Sequence, residues 1–325
     1  MEQFFKICNL AKYRQQLMGF AMSWIICYHF GLGAFHLPLI NFVGKTGYGG
    51  VDLFLFLSGL GIYFSLSKDE NKRRFYLKRV LRILPYYVPF VLIVMICEGK
   101  SIGVVLMNIT ALSFFFNSSF QFDWYIPALL FLYLITPFYY LLFKRKPVLV
   151  TFLLTVLSVL LSFFIEVHYE IFIIRIPVFF IGFLFGFLIG NNYQFNKWKV
   201  IISLLMGLVG IGWLYYNIFM FEYDYLWKTG LWWYPFILIT FPLLLTISGF
   251  LSLFKQYHFP ILSFMGKYSL VLYLLHWNIL PALGVIDYFD TNKIMARAVA
   301  LILTFVLGYY YQNIIEKWVA RVVAK

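Results

Sequence analysis

The chain has 325 residues, of which 63% are hydrophobic and 12% are charged. Average soluble domains are about one quarter charged, so this composition excludes an ordinary water-soluble globular protein. It predicts an all-α polytopic membrane protein in which residues 1–325 form a single integral-membrane domain. In a soluble protein, the net charge of +13 would suggest nucleic acid binding. Here the distribution of the charges indicates membrane topology instead, so we expect no nucleic acid partner.

Apolar stretches of about 20 residues predict ten membrane-spanning helices. They cover residues 17–36, 47–67, 80–97, 124–143, 147–166, 171–191, 199–219, 231–252, 263–283 and 294–316. With residues 1–16 as a cytoplasmic interfacial segment, most of the 26 Lys and Arg residues fall on the cytoplasmic side. The positive-inside rule then places both termini in the cytoplasm and predicts a multi-pass protein of the cell membrane, either plasma or inner.

A further apolar stretch covers residues 102–117. If it crossed the bilayer, every later loop would change sides, and the basic run Lys144, Arg145 and Lys146 would face outward. We therefore predict a re-entrant or interfacial segment, which is tolerated where protein covers its backbone.

Two ionisable side chains lie inside consecutive predicted spans. A rise of 1.5 Å per residue places His29 roughly 18 Å from the inner end of the first span, and Asp52 about 8 Å below the outer surface. The two depths are similar, and an ionisable residue inside a membrane is costly enough to indicate function. A carboxylate beside an imidazole favours general-base catalysis. Hydrogen bonds that join helices are the alternative interpretation.

A basic cluster lies at the cytoplasmic end of the third span. Lys78, Arg79 and Arg82 have helical spacings of three and four, so they share one face. Arginine at this position can pair with phosphate groups. Ordinary positive-inside anchoring is the alternative, although it explains Arg82 less well because Arg82 already begins an apolar run.

Later segments add aromatic and polar candidates. Trp124 and Tyr125 open the fourth span, where aromatic residues either form a membrane-interface belt or stack on sugar rings. His276 is a second histidine, deep in the ninth span. Arg175 lies in a short outer loop near Glu166 and Glu170, where a structural ion pair is expected. The three cysteines indicate neither a disulfide framework nor a thiolate metal site, so no metal is expected.

Five features, in this order and topology, resemble the acyltransferase 3 family of integral-membrane acyltransferases. They are Tyr-His late in the first span, Gly-Val-Asp-Leu-Phe with Leu-Ser-Gly at 50–54 and 57–59, Arg-x-x-Arg-Ile-x-Pro-x-Tyr at 79–87, Trp-Tyr at 124–125 with a later proline, and Gly-x-x-Ser-x-x-x-Tyr-x-x-His at 266–276. The resemblance covers nearly the whole chain and implies a core of ten helices.

The resemblance implies transfer of an acyl group, often acetyl, from a cytoplasmic acyl-CoA to a hydroxyl of an extracytoplasmic polysaccharide or lipid-linked glycan. It implies that His29 is catalytic and that Arg79 and Arg82 bind the phosphates of acetyl-CoA or another acyl-CoA. From the residues themselves, we expect Asp52 to support His29 in catalysis and Lys78 to join the two arginines in binding the donor. The expected substrate-binding residues are Ser58, Trp124, Tyr125 and His276. The donor is a substrate, so no permanently bound cofactor is expected.

Two positions depart from the family pattern. Met18 stands eleven residues before His29, where an arginine is common, and Arg14 lies one turn earlier. Residues 126–130 lack the glutamate that many members carry after the fourth-span tryptophan. Two other functions remain open: a transporter or flippase of a glycan- or acyl-lipid, and an inactive subunit of a glycan-assembly complex. The remaining expected partners are the lipid bilayer and a possible homo-oligomer.

Overall fold

The computed structural model describes residues 4–31, 38–116, 121–254, 257–284 and 292–323, and within these ranges it contains helices and no strand. The first helices in chain order are α1 (Cys8–Lys12), α2 (Arg14–His29), α3 (Pro38–Lys45), α4 (Gly50–Lys68, after a 3-10 turn at Gly47–Gly49), α5 (Lys72–Cys97), α6 (Ile102–Ile109), α7 (Ser113–Phe116), α8 (Tyr125–Phe143) and α9 (Pro147–Ser162). They are followed by α10 (Val167–Ile173), α11 (Ile176–Gly190), α12 (Lys197–Met220), α13 (Tyr223–Thr229), α14 (Phe236–Leu253), α15 (Pro260–Lys267), α16 (Ser269–Gly284) and α17 (Lys293–Val323).

The predicted all-α polytopic architecture is confirmed. In the described ranges, seven helical stretches are long and apolar enough to cross a membrane, and α9 and most of α16 are shorter apolar helices. Each predicted span coincides with helix, although two spans are interrupted: 171–191 at Ile174 and Arg175, and 263–283 at Tyr268. The first predicted span begins earlier than expected, at Arg14, and its residues 32–36 lie outside the described ranges.

Residues 102–116 do not form one crossing helix. The eight residues of α6 extend about 12 Å, well short of a hydrocarbon core about 30 Å thick. A left-handed backbone at Ala111 (φ 60°) then separates α6 from α7. The buried Asn108 side chain accepts hydrogen bonds from Ser113 Oγ (2.8 Å) and from the Phe122 amide (2.7 Å). The geometry supports the re-entrant or interfacial interpretation, and Asn117 lies outside the described ranges.

The amino-terminal segment docks onto the bundle instead of lying loosely beside it. In and just before α1, Ile7 and Leu10 are buried, whereas Lys6 and Lys12 are exposed. The helix packs on α14, where Phe4 contacts Gly249. Burial of the apolar side stabilises this position, and the lysines on the other side remain available to solvent or lipid headgroups.

α4 is the central helix, buried along almost its whole length. It packs most extensively on α11, and glycines permit the close approach: a Cβ at Gly59 would overlap the Phe179 carbonyl, and one at Gly182 would overlap the Phe56 carbonyl. α2 packs on α15 in the same way through Gly19 and Gly266. Small residues in membrane helices commonly allow such close packing. These contacts also bring the carboxyl end of α2 beside the amino end of α4, where the site lies.

Candidate active site

Several helix ends and one connecting segment surround a cavity of about 540 Å³, which we call the aromatic cavity. Its walls come from the end of α2, the start of α4, residues 121–124, the α10–α11 junction, residues 227–233 and α16. Aromatic side chains predominate in these walls; they are Tyr28, Tyr48, Phe122, Trp124, Trp227, Trp232, Trp233, Tyr273 and Trp277. A concave, mostly apolar cavity with a few polar groups is the usual form of a small-molecule site.

His29 lines this cavity at the carboxyl end of α2. Its ring centroid lies 4.9 Å from that of Tyr28, 5.0 Å from that of His276 and 4.7 Å from that of Trp277. The structure therefore brings together two histidines that are 247 positions apart in the chain (29 and 276). Ring packing, without a hydrogen bond to another described residue, holds the His29 imidazole in place.

The backbone of α16 selects one tautomer of His276. Its Nδ1 lies 2.7 Å from the Tyr273 carbonyl oxygen and 3.2 Å from the Leu272 carbonyl oxygen. Carbonyl oxygens only accept, so Nδ1 carries the proton and Nε2 keeps its lone pair. His276 is only 2% exposed, and its buried Nε2 has no hydrogen-bond partner among the described residues. A substrate hydroxyl is the type of donor that would satisfy it.

Asp52 does not pair with His29 as the sequence suggested. Its carboxylate meets Arg175 instead: Arg175 Nε lies 3.2 Å from Oδ1 and donates a hydrogen bond to Oδ2 at 3.3 Å. Both side chains are almost fully buried, so each charge compensates for the other where water is absent. Arg175 lines the aromatic cavity and Asp52 does not, so Asp52 contacts a residue of the cavity wall without lining the cavity itself.

Arg175 is the main site residue that the sequence interpretation missed. The sequence predicts a structural ion pair within an outer loop, but Arg175 is the N-cap residue of α11 and pairs with Asp52 from a different helix. Trp124 and Trp233 cover the guanidinium at 5.1 and 5.4 Å from their ring centroids. One signal was available: Arg175 adjoins an apolar run at the outer end of its span, as Asp52 does.

Asp123 and Tyr273 close one side of the aromatic cavity. Tyr273 Oη donates to Asp123 Oδ1 at 2.9 Å, and the Ile126 amide donates to Oδ2 at 2.7 Å. Burial raises the pKa of Asp123, whereas these hydrogen bonds lower it. The Tyr125 ring packs on Tyr273 with centroids 4.9 Å apart. Tyr273 belongs to the 266–276 pattern, in which only His276 had been singled out.

Tyr273 also borders a second, smaller space of about 50 Å³, which we call the arginine pocket. Three of the predicted residues line it: Ser58 on α4, Arg82 on α5 and Tyr125 on α8. Met18 lines it too, and Ser269 lines it from the first turn of α16. Arg82 is an exposed residue although it lines this pocket.

Arg14 joins Arg79 and Arg82 beside this pocket. Its Nε donates to the Leu57 carbonyl at 2.8 Å, and its guanidinium occupies the space left by the missing side chain of Gly61. Arg79 and Arg82 lie near enough for their positive charges to repel that of Arg14. None of the three forms an ion pair with a described carboxylate. An anion bound here would remove the repulsion.

The other members of the predicted basic motif differ in placement. Arg79 donates to Ser65 Oγ at 2.8 Å and packs on the Tyr133 ring, which itself lines the arginine pocket. Lys78 is exposed on α5 and lines neither cavity. The structure therefore associates Arg79 and Arg82 with the pocket and leaves Lys78 at the surface.

A comparison with known families decides the class of protein. A family model described as an acyltransferase domain matches residues 16–312 of the 325-residue chain. The chain belongs to the acyltransferase 3 family. It is therefore an acyltransferase, and with its apolar helices it is a multi-pass membrane protein. No curated protein and no solved structure matches the chain.

The structure shows what surrounds Met18, the position at which this acyltransferase departs from the family pattern. Met18 lines the arginine pocket without contributing charge, whereas Arg14, one turn earlier on α2, brings its guanidinium beside Arg79 and Arg82. The positive charge that residue 18 lacks is thus present near the pocket. Arg14 had been noted in the sequence but not assigned to the site.

Proposed function

We propose that this acyltransferase moves an acyl group, with acetyl as our first expectation, from a cytoplasmic acyl-CoA to a hydroxyl of an extracytoplasmic polysaccharide or lipid-linked glycan. The setting we propose is the cell membrane, with both termini in the cytoplasm. The observation that carries the proposal is that two spaces with different ionisable groups adjoin each other. An aromatic cavity with two histidines and an arginine pocket meet at one residue, Tyr273.

The arginine pocket supports the donor assignment. Three guanidiniums without a described acidic partner suit a ligand with several phosphate groups, since arginine binds phosphate oxygens through its planar fork. Arg14 begins α2 and His29 ends it, so the basic cluster and the histidines are about 22 Å apart along that helix. A donor with phosphates at one end and a thioester at the end of a long arm matches this separation.

The aromatic cavity supports the acceptor assignment. Tryptophan and tyrosine rings present electron-rich faces, on which the C–H groups of a sugar ring can pack while its hydroxyls bond to polar groups. Polar groups available in the walls include Gln121, Asp123 and Asn278. Trp124 therefore belongs to the proposed acceptor site, whereas Ser58 and Tyr125 lie on the donor side.

The proposed step is a direct acyl transfer. The acceptor hydroxyl oxygen attacks the thioester carbonyl carbon while His29 removes the hydroxyl proton. The C–S bond then breaks, and the thiolate takes up the proton as coenzyme A leaves. His276 Nε2 accepts a hydrogen bond from a second substrate hydroxyl and orients the sugar. General-base catalysis of this kind contributes typically about 10²- to 10⁴-fold to the rate.

The test compares surface glycans by mass spectrometry in cells that produce wild type, His29→Ala or His258→Ala. His258 is an exposed histidine that lines neither cavity, so it is the matched control. We expect acylation to be lost with His29→Ala at normal membrane levels of the protein and retained with His258→Ala. Full acylation with His29→Ala would refute the assigned base.

A further inference from the structure

The protein holds the Arg175 guanidinium in one orientation through hydrogen bonds and ring contacts. Trp124 and Trp233 lie within cation–π distance of it, Nε contacts Asp52, and Nη1 donates to the Ile171 carbonyl at 2.8 Å. Nη2 forms no hydrogen bond with the described residues and is not sealed from the cavity. The Nη2 amino group, held in a fixed direction, therefore remains available to donate to a ligand.

The charge beside this free donor is already balanced. Among the residues that line the cavity, Arg175 is the single formal cation and Asp123 the single carboxylate. Asp52, behind Arg175, adds a second carboxylate. Its Oδ1 has no hydrogen bond but lies 3.2 Å from Arg175 Nε, so its negative charge offsets that of the guanidinium. The cavity wall thus offers a directed hydrogen-bond donor but no net positive charge.

We propose that the Asp52–Arg175 pair makes the aromatic cavity selective for an uncharged sugar unit and against a carboxylate-bearing one. Arg175 Nη2 donates to a hydroxyl or ring oxygen of the neutral sugar. A sugar carboxylate would lose its hydration in a cavity without compensating charge and would face Asp52 and Asp123. This inference rests on the proposed function and names the acceptor class of the same site.

The experiment uses two probes that differ at one carbon, methyl β-glucoside and methyl β-glucuronide. Binding of each to the purified full-length protein in lipid nanodiscs is measured by saturation-transfer NMR, which detects weak ligands. We expect wild type to prefer the neutral probe by about tenfold or more, within the range that a polar mismatch in a binding site produces. Equal binding of the two probes, or binding of neither, would overturn the proposal.

Three variants separate charge from hydrogen bonding. Asp52→Asn removes the counter-charge, so we expect the preference for the neutral probe to shrink or reverse. Arg175→Lys keeps the positive charge but removes the guanidinium with its Nη2 donor, so we expect weaker binding of the neutral probe. Arg297→Gln is the control, because Arg297 packs over Gly31 and does not line the cavity. We expect it to leave the preference unchanged.

Folding is checked by thermal unfolding of every variant. If Asp52→Asn does not fold, Arg175→Lys decides, and unchanged binding of the neutral probe to it would overturn the inference. Failure of the inference is distinguishable from failure of the proposed function. Glycan acylation that depends on His29 while wild type binds both probes equally contradicts the selectivity alone, whereas acylation independent of His29 contradicts the proposed mechanism.

Discussion

At the scale of single residues, the structure divides the buried charges into two groups with different requirements. Asp52 and Arg175 satisfy each other, whereas Arg14, Arg79 and Arg82 gather without a described counter-ion. The charges of the first group balance each other in the folded protein, and we propose that an anionic ligand balances those of the second. Removal of a charge should therefore reduce stability in the first group and ligand affinity in the second.

The buried pair is expected to contribute to stability in a way that a surface pair does not. Removal of one partner leaves an uncompensated buried charge, so Asp52→Ala should lower the free energy of unfolding by about 3–5 kcal/mol. The exposed pair of Glu70 and Lys144, at 2.8 Å, is the control, and Glu70→Ala should cost less than about 1 kcal/mol. Denaturant unfolding in mixed micelles measures both. Similar costs for the two variants would contradict the assigned role of burial.

The three clustered arginines Arg14, Arg79 and Arg82 should determine the affinity for the proposed acyl-CoA donor. Arg14→Gln and Arg82→Gln should each weaken acetyl-CoA binding by about ten- to a hundredfold, because each removes charge-assisted hydrogen bonds to phosphate. Arg145→Gln is the control, since Arg145 is exposed in a basic loop and lines neither cavity. Calorimetric titration of the purified protein measures the affinities. An Arg14→Gln variant that binds like wild type would remove Arg14 from the donor site.

The sequence predicted that His29 and Asp52 lie at similar depth, but it did not predict which residues they contact. The predicted depth of His29 and Asp52 in the bilayer follows from the lengths of the hydrophobic stretches alone. Their contact depends on helix rotation and on neighbours brought from elsewhere in the chain. Arg175 lies 123 positions beyond Asp52 yet occupies its carboxylate, and no local pattern contains that information.

At the scale of secondary-structure elements, close packing of α4 depends on positions without side chains. A Cβ at Gly59 would overlap the Phe179 carbonyl of α11, a backbone atom that cannot rotate away. Gly212 in α12 is also helical and has no atom within 4 Å of its hypothetical Cβ. The two glycines therefore share a backbone conformation and differ only in their surroundings.

This difference gives a matched pair of substitutions. Gly59→Ala should destabilise the protein by about 1–3 kcal/mol because the helices must separate. Gly212→Ala should be neutral or stabilising by up to about 1 kcal/mol, since alanine has the higher helix propensity. Thermal unfolding in detergent compares them. A neutral Gly59→Ala variant would show that the α4–α11 contact tolerates a wider spacing.

The element boundaries were predicted unevenly, for a physical reason. Hydrophobic stretches locate the helices because membrane thickness determines their length. A break in a helix leaves the hydropathy of the stretch unchanged. The sequence therefore predicts one continuous span across the α10–α11 break and another across the α15–α16 break. Pro177, near the start of α11, was an available local signal, because proline is favoured in the first helical turn. The break before it places Arg175 at the site.

At the scale of the whole molecule, the proposed reaction requires that the two spaces face opposite sides of the membrane. Two natural cysteines can test this arrangement, since Cys8 precedes α2 and Cys97 ends α5, and both are exposed. The topology predicts Cys8 on the cytoplasmic side and Cys97 outside. In sealed right-side-out vesicles, a membrane-impermeant maleimide should label wild type and Cys8→Ser but not Cys97→Ser. Equal labelling of both single variants would contradict the predicted topology.

Substitutions at Tyr273 can test, through acyltransferase activity, whether the aromatic cavity and the arginine pocket form one reaction path. The Tyr273 ring packs on Tyr125, its hydroxyl binds Asp123, and it borders both the aromatic cavity and the arginine pocket. Truncation to alanine should open the junction and admit water as a competing nucleophile. We therefore expect Tyr273→Ala to release coenzyme A from acetyl-CoA without matching glycan acylation, as measured by thiol release and by mass spectrometry.

Tyr273→Phe separates the barrier from the hydrogen bond. It keeps the ring that fills the junction but loses the bond to Asp123, so transfer should slow by about tenfold while hydrolysis stays low. If the junction is a barrier, only the alanine variant uncouples thiol release from glycan acylation. If both variants uncouple equally, the hydrogen bond and not the ring separates the two spaces. If neither does, donor and acceptor meet elsewhere, and the two spaces do not form one reaction path.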